Sequence, residues 1–189
     1  MSKILCFYYP DFADFEITLA CHKLRQVGKR EIVGVADALA PVTSESGLRY
    51  LPDATLAQAM DFTDVDALLI PGGPVQPAPD AMLTLIRSLH ARGVLIAAIC
   101  NGPHYLARAG LLDTHRYTTT CSIQAAARLA TPDPFPRANY LEAERVVRDG
   151  QLITAKGRAF VDFSMALFDA LGIYADPRDA QTLWQDIRG

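Results

Sequence analysis

The chain has 189 residues, half of them hydrophobic, and a formal net charge of -3. It is long enough for one substantial core, so we expect a single domain spanning residues 1–189. The sequence has no block of Lys or Arg, which argues against a nucleic-acid partner. It also has no apolar run near the roughly 18 residues of a membrane span. We therefore expect a cytoplasmic protein whose partner is a small molecule or another protein.

Four short apolar runs are typical of buried strands, and helical patterns lie between several of them. The predicted strands are Ile4–Tyr9, Ile32–Ala36, Ala67–Pro71 and Val94–Cys100. The predicted helices are Asp11–Val27, Ala81–Ala91 and Gly102–Leu112. This alternation predicts parallel strands joined by crossover helices, and hence a doubly wound α/β sheet with helices on both faces.

The C-terminal part of the chain predicts a hairpin and a last helix. Segments Asn139–Val147 and Gln151–Ala155 flank Asp149–Gly150, a dipeptide typical of tight turns, and predict a β-hairpin at the edge of the same sheet. Ala159–Leu171 has the apolar pattern of an amphipathic helix. The Pro-rich segment 131–136 cannot be a helix or a central strand, so we expect a surface loop there.

The four cysteines have no CxxC spacing. Because no export signal precedes them, we expect all four to be reduced, which argues against both a disulfide framework and a zinc site. No cofactor and no metal are predicted. Each cysteine is therefore judged by its own surroundings.

The segment Val94–His104 is the most informative about chemistry, because a buried strand ends there and a helix begins. Ala98 and Gly102 surround Cys100 in a small-x-Cys-x-Gly pattern, a cysteine version of the nucleophile elbow in which small neighbours expose the reactive atom. The helix N-terminus behind the sulfur predicts a thiol pKa below the usual value of about 8.5. A buried structural cysteine fits this pattern equally well.

A second strand ends in the paired glycines Gly72 and Gly73. In open α/β sheets, ligands lie outside the carboxyl ends of the strands. The Gly73 N–H, together with the backbone amide of Asn101 or Cys100, could therefore form an oxyanion hole. The alternative is a Gly-Gly-Pro turn with a purely conformational purpose. The spacing does not match Gly-x-Gly-x-x-Gly, so dinucleotide binding is a poor fit.

The first predicted helix places one acid among apolar residues. Its core-facing stripe consists of Phe12, Phe15, Leu19, Ala20, Leu24 and Val27. Glu16 falls inside this stripe, so burial should raise the pKa of its carboxyl and make it a hydrogen-bond donor. The start of this helix lies at the same sheet edge as Cys100. The alternative is a glutamate whose carboxylate reaches water.

Together these residues resemble the ThiJ/PfpI family, part of the class I glutamine amidotransferase-like superfamily and related to the Parkinsonism-associated deglycase. The resemblance covers nearly the whole chain and rests on Asp14-Phe15-Glu16, Pro71-Gly72-Gly73, Ala98-Ile99-Cys100-Asn101-Gly102 and Leu106-Ala107-x-x-Gly110-Leu111-Leu112. It implies a flavodoxin-like sandwich, a homodimer, and Glu16 hydrogen-bonded to the sulfur of Cys100. It also implies that this cysteine is readily oxidised to sulfinic acid.

The chain departs from the family where many members place a histidine beside the cysteine. Asn101 follows Cys100 directly, and the family's Thr-Thr-His run here reads Tyr117-Thr118-Thr119-Thr120-Cys121. His104, one helical turn beyond Cys100, is a candidate base whose alternative is simple packing, and His115 could approach the same edge. The remaining pocket candidates are Gly72, Thr119, Thr120 and Cys121, with Cys121 a conceivable second thiol.

Three functions remain open on this basis. In the first, Cys100 adds to a small electrophile, with Glu16 moving the proton, as in glyoxalase-, deglycase-, hydratase- or amidase-like enzymes. In the second, Cys100 reacts with an oxidant in a stress or redox-sensing protein without turnover. The third is a binding module that has lost its chemistry. A protease is disfavoured because a Cys–His pair is missing.

Overall fold

The computed structural model describes residues 1–129 and 131–188. The strands in these two ranges are β1 (Lys3–Phe7), β2 (Glu31–Ala36), β3 (Val42–Thr43), β4 (Arg49–Tyr50), β5 (Ala54–Thr55), β6 (Val65–Ile70), β7 (Leu95–Ile99), β8 (Val146–Asp149) and β9 (Leu152–Ala155). The α-helices are α1 (Phe15–Gln26), α2 (Leu56–Ala59), α3 (Asp80–Ala91), α4 (Pro103–Arg108), α5 (Ile123–Ala126), α6 (Phe160–Leu171) and α7 (Pro177–Arg188).

Seven strands form one sheet in the order β5-β2-β1-β6-β7-β9-β8. Neighbouring strands are parallel except β8 and β9, which form an antiparallel hairpin at one edge. From β1 the chain runs outward through β2 to β5, and it then returns past β2 and β1 to form β6, so the strand order changes direction between β1 and β6. Ligand crevices in doubly wound sheets lie at such a point.

Helices cover both faces of the sheet. Helices α1 and α6 pack against each other, whereas α2, α3 and α4 pack in sequence as a second layer. Strand β7 lies between the layers, and all five of its residues are buried, which explains why its sequence is a continuous apolar run rather than an alternating one. The predicted flavodoxin-like α/β fold and the hairpin at the sheet edge are confirmed. No helix in residues 1–129 and 131–188 is long and apolar enough to cross a membrane.

Several predicted boundaries were wrong for local reasons. Helix α1 begins four residues later than predicted, because Asp11 has a φ of +61° and cannot be helical. The helix predicted for Gly102–Leu112 ends at Arg108, and Gly110, with a φ of +82°, leads into a 3-10 turn. Most of the strand predicted for Asn139–Val147 is irregular, and only its last two residues belong to β8. The Pro-rich segment 131–136 is a loop, as predicted.

The loop after Tyr117 is fastened across the carboxyl ends of β7 and β9. The Thr118 N–H donates to the buried Thr154 hydroxyl at 2.9 Å, and the Thr118 hydroxyl donates to the Glu144 carbonyl at 2.9 Å. The Thr120 N–H donates to the Cys100 carbonyl at 2.9 Å. These bonds fix where Thr119 and Thr120 lie relative to the end of β7.

Replacing Thr154 with Val should destabilise the protein. Valine has the same shape but no acceptor, so the buried Thr118 N–H loses its partner at a cost of about 1–3 kcal/mol. Urea unfolding of Thr154→Val measures this cost. The matched control, Thr84→Val on the exposed side of α3, should change stability by less than about 0.5 kcal/mol. Equal stability of the two variants would contradict the expectation.

Candidate active site

A cavity of about 1040 Å³ opens at the carboxyl ends of β1, β6 and β7. Each of these strands contributes a residue that follows it, namely Asp11, Gly73 and Cys100. The other residues that line it are Ala13, Phe15, Glu16, Glu45, Pro74, Asn101, Thr119, Thr120, Ser122, Tyr140, Glu142, Arg145, Lys156, Gly157, Arg158 and Phe160. We call this space the Cys100 cavity.

Cys100 lies at a strained turn between β7 and α4. Its φ is +62°, in the left-handed region that a side chain disfavours. Hydrogen bonds hold the residue on both sides: its N–H donates to the Ala155 carbonyl at 2.8 Å, and its carbonyl accepts from the Thr120 N–H and from the Thr119 hydroxyl at 2.6 Å. The surrounding structure therefore imposes the strained conformation and aims the sulfur into the cavity.

Two glycines allow Cys100 and Glu16 to meet. A Cβ atom on Gly72 would lie 2.4 Å from the Cβ of Cys100 and 2.6 Å from Oε2 of Glu16. A Cβ on Gly157 would lie 2.6 Å from Oε1 of Glu16 and 3.0 Å from the Cys100 sulfur. A side chain at either position would force the pair apart. Gly157 was not predicted from the sequence, although a glycine two residues after a buried strand was the available signal.

The Glu16 carboxyl is buried, with only 1% of the residue exposed. Its Oε2 accepts from the Gly72 N–H at 2.7 Å, and the carboxyl is hydrogen-bonded to the Cys100 thiol. Burial raises the pKa of Glu16 to about 7, and these two hydrogen bonds oppose the rise. Near neutral pH this carboxyl can therefore either hold or release a proton.

The Cys100 thiol does not have the low pKa expected from the sequence. Burial and the adjacent negative charge of Glu16 raise the pKa of Cys100 to about 12. Helix α4 has only six residues, so its dipole is short, and desolvation outweighs it. The expectation was wrong because it considered the helix terminus and not the burial of the sulfur.

Two donors favour the ionised sulfur. Hydrogen bonding from the Thr120 hydroxyl and from the Asn101 N–H lowers the pKa of the Cys100 thiol and partly offsets the effect of burial. Thr120 is itself oriented, because its Oγ1 accepts from the Gly157 N–H at 2.9 Å. That bond uses an acceptor site and leaves the hydroxyl proton for the sulfur.

A hydrogen bond links Gly73 and Asn101, which line the cavity together with Cys100. The Asn101 side-chain amide donates to the Gly73 carbonyl at 2.8 Å. The Gly73 N–H has no hydrogen-bond partner within the described residues. Gly73 adopts a φ of +143°, and a Cβ there would lie 2.8 Å from the Asp11 carbonyl oxygen. The glycine therefore allows the loop after β6 to approach the loop after β1.

The histidines of the described chain do not border the Cys100 cavity. His104 is fully buried, its Nδ1 lies 2.9 Å from the Asn101 carbonyl oxygen, and burial lowers its pKa to about 4. His115 bonds to the Leu111 carbonyl oxygen at 2.8 Å and packs against His90 instead. Cys121 is also buried and does not line the cavity. Of the pocket candidates, Thr119 and Thr120 do line it.

The rim of the cavity is aromatic and charged, and sequence analysis missed most of it. Phe15 was predicted to be in the core, yet 48% of it is exposed, and its ring packs edge-on against Phe160 at 5.7 Å. Lys156 and Arg158 also line the cavity, and the Lys156 ammonium donates to the Glu142 carbonyl. No cluster of three or more His, Cys, Asp or Glu side chains that could hold a metal occurs in residues 1–129 and 131–188.

The chain is similar in sequence to several known proteins. The chain is 31% identical to a Drosophila melanogaster protein named dj-1beta over 163 residues, covering 83% of this chain and 82% of the fly protein. It is 32% identical to an isonitrile hydratase of Pseudomonas putida over 168 residues, covering 86% and 69% respectively. A deglycase of Thermococcus kodakarensis is 26% identical over 158 residues, covering 82% and 89%.

A solved structure is similar to this protein over the whole chain. A DJ-1 superfamily protein from Agrobacterium tumefaciens superposes with a TM-score of 0.83 at 31% identity, and the alignment covers 100% of both chains. The model of the DJ-1/PfpI family matches residues 2–170. That range includes all of the sheet and every residue that lines the Cys100 cavity, so the chain belongs to the DJ-1/PfpI family, as the sequence motifs predicted.

Proposed function

We propose that the protein is an enzyme in which the Cys100 sulfur adds to an electrophilic carbon of a small aldehyde, amide or isonitrile. The observation that carries this proposal is that the Cys100 sulfur and the buried Glu16 carboxyl lie side by side against Gly72 and Gly157, next to an open cavity. An acid whose pKa is about 7 is suited to taking and returning a proton at neutral pH. The Cys–Glu pair thus supplies both a nucleophile and its base.

The first step is proton transfer from the Cys100 thiol to the ionised Glu16. The proton moves along an existing hydrogen bond, and the thiolate that forms keeps the Asn101 N–H and the Thr120 hydroxyl as donors. The Cys100 thiol is therefore protonated at rest and ionises when a substrate is in place. This order explains how a thiol with a raised pKa can act as a nucleophile.

In the second step the thiolate attacks the substrate carbon. With an aldehyde or amide, the C–S bond forms as the π electron pair moves to oxygen, where the unpaired Gly73 N–H is a donor. The Asn101 N–H is the second donor, since a sulfur bonded to carbon no longer needs it. Glu16 then returns its proton to the oxygen or to the departing amine. In an isonitrile both the sulfur and the proton add to the terminal carbon.

The cavity favours small substrates over peptides. Gly157, Phe15 and Phe160 line it, and the two aromatic rings pack against each other on one side. Gly72, which was predicted to line the pocket, is buried behind the Cys100–Glu16 pair and does not line the cavity. A cysteine protease needs a histidine to protonate its leaving amine, and none borders the cavity in the described chain. The isonitrile hydratase among the relatives acts on an isonitrile by name, which supports a small electrophile as the substrate here. The homodimer stays a prediction of the family resemblance, and the cytoplasmic setting stays a prediction from the sequence.

Oxidant sensing by Cys100 is the competing function. Peroxides react with thiolates, and the raised pKa of Cys100 keeps the resting sulfur protonated. An oxidant sensor also does not need a cavity that could hold an organic substrate beside the sulfur. These two features favour turnover of a bound substrate over sensing.

Replacing Cys100 with Ala should abolish turnover. Methylglyoxal, a small amide and an alkyl isonitrile are the three substrates to assay, and loss of the nucleophile should lower kcat/KM by at least about a thousandfold. The control is Cys21→Ser, a half-buried cysteine outside the cavity, which should keep wild-type activity. Wild-type protein that turns over none of the three, yet forms a stable two-oxygen adduct with peroxide, would establish the sensor instead.

Replacing Glu16 with Gln should stabilise the protein at alkaline pH. The folded-state pKa of about 7 lies above the ordinary 4.5, so the carboxyl favours folding below pH 4.5 and loses this contribution as the pH rises through 7. Glutamine keeps the shape and has no charge to bury. We expect Glu16→Gln to be about 1–3 kcal/mol more stable than wild type at pH 8 and nearly equal at pH 5. Urea unfolding at both pH values measures it, and a pH-independent difference would refute the raised pKa.

Replacing Thr120 with Val should slow alkylation of Cys100. A hydrogen bond to a charged sulfur contributes about 1.5–3 kcal/mol, so its loss should lower the iodoacetamide rate at pH 7.5 about ten- to a hundredfold. Thr120→Ser keeps the hydroxyl and should stay within about threefold of wild type. Because Val also removes the acceptor of the Gly157 N–H, the rates are compared with unfolding curves of both variants. Equal rates for Val and Ser would exclude a role for the hydroxyl.

A further inference from the structure

Two cysteine sulfurs lie close together between β1 and α1, away from the Cys100 cavity. Cys6 lies in β1 and is completely buried, whereas Cys21 lies in α1 and is half-buried. Their sulfur atoms are 3.4 Å apart. Both thiols are free in this structure. Neither lines the Cys100 cavity, so the proposed enzyme reaction does not use them.

We propose that Cys6 and Cys21 form a reversible intramolecular disulfide when a hydroperoxide oxidises the protein. A disulfide requires sulfurs about 2.05 Å apart, so the two atoms must approach by little more than an ångström from their present 3.4 Å. A pair on neighbouring elements, already in contact, needs no rearrangement of the fold. The proposal does not depend on the function of Cys100.

Access determines which sulfur is oxidised first. A cleft of about 290 Å³ reaches Cys21, and its other walls include Tyr8, Ile17 and Tyr50. Cys6 does not line this cleft, and none of the residues that do line it also lines the Cys100 cavity. The hydrogen bond to Cys21 and burial raise the pKa of Cys6, so Cys6 remains protonated. An oxidant in the cleft therefore meets Cys21 first, and Cys6 acts second.

The disulfide forms in two steps. The Cys21 thiolate attacks one peroxide oxygen, the O–O bond breaks, and an alcohol or water leaves, so that Cys21 becomes a sulfenic acid. The Cys6 sulfur then attacks the Cys21 sulfur, the S–S bond forms, and the sulfenic hydroxyl leaves as water with the Cys6 proton. The two thiols lose two electrons in total, and the hydroperoxide gains them.

The new bond would tie α1 to β1. Glu16 lies in the first turn of the same helix, so the bond fixes the element that carries the acid of the proposed enzyme. A thiol reductant reverses the bond, since exchange proceeds through a mixed disulfide. The disulfide is therefore a modification that a reducing cytoplasm can reverse.

The test uses the double variant Cys100→Ala/Cys121→Ala, in which only the pair remains. After treatment with tert-butyl hydroperoxide, the intact mass should fall by about 2 Da, and neither thiol should react with iodoacetamide in denaturant. Dithiothreitol should restore both thiols. A gain of about 16 or 32 Da, two alkylated thiols, or a disulfide-linked dimer would each overturn the proposal.

Single replacements in the same background identify the order of the steps. Cys6→Ser should leave Cys21 as a sulfenic acid that dimedone labels, whereas Cys21→Ser should leave Cys6 unoxidised because the cleft does not reach it. Strong oxidation of Cys6 in the second variant would refute that order. Cys21 is only half-buried, so Cys21→Ser should fold even if serine is not tolerated at position 6.

Discussion

The contact between the buried Glu16 carboxyl and the partly buried Cys100 thiol is the interaction on which the rest of the site depends. The two groups can lie side by side because Gly72 and Gly157 have no side chains, and a Cβ atom at either position would clash with both groups. Burial raises the pKa of both groups. Two desolvated acids in contact cannot both ionise at neutral pH. Glu16 ionises first, because its pKa of about 7 lies well below the value of about 12 for Cys100, and the remaining proton stays on the sulfur.

The parallel sheet explains why residues so distant in sequence form this contact. The carboxyl ends of β1, β6 and β7 meet at one edge, so the segments after them, which carry Glu16, Gly72 and Cys100, converge there. The fourth neighbour, β9, brings Gly157 to the same edge. The residues of these strands are mostly buried, so the site is built on the buried core of the sheet.

The sequence predicted those parts of the site that lie on regular elements. Helical spacing identified Glu16 as buried, and the end of an apolar run identified Cys100. Elements without a clear hydrophobic period were not predicted. Strands β3, β4 and β5 have only two residues each. Helix α7, which follows the last predicted helix, has a mostly polar sequence. Phe15 was assigned to the core because a helical stripe cannot show that a cavity opens beside it. The burial of the Cys100 thiol depends on Gly157 and Thr120, and these residues come close to Cys100 only in the folded chain.

The environments of Cys100 and Cys6 show how one physical effect serves two different chemistries. Burial raises the pKa of Cys100, and the hydrogen bond with Cys21 together with burial raises the pKa of Cys6. Both thiols are therefore protonated, and the partner decides what each can do. In the proposed enzyme reaction, a carboxyl with a pKa of about 7 removes the Cys100 proton when a substrate arrives. A second thiol is a poor base, but it can share a bond once it is oxidised. The proposed reaction therefore does not need the missing family histidine, because it uses Glu16 as the base and Thr120 as a donor.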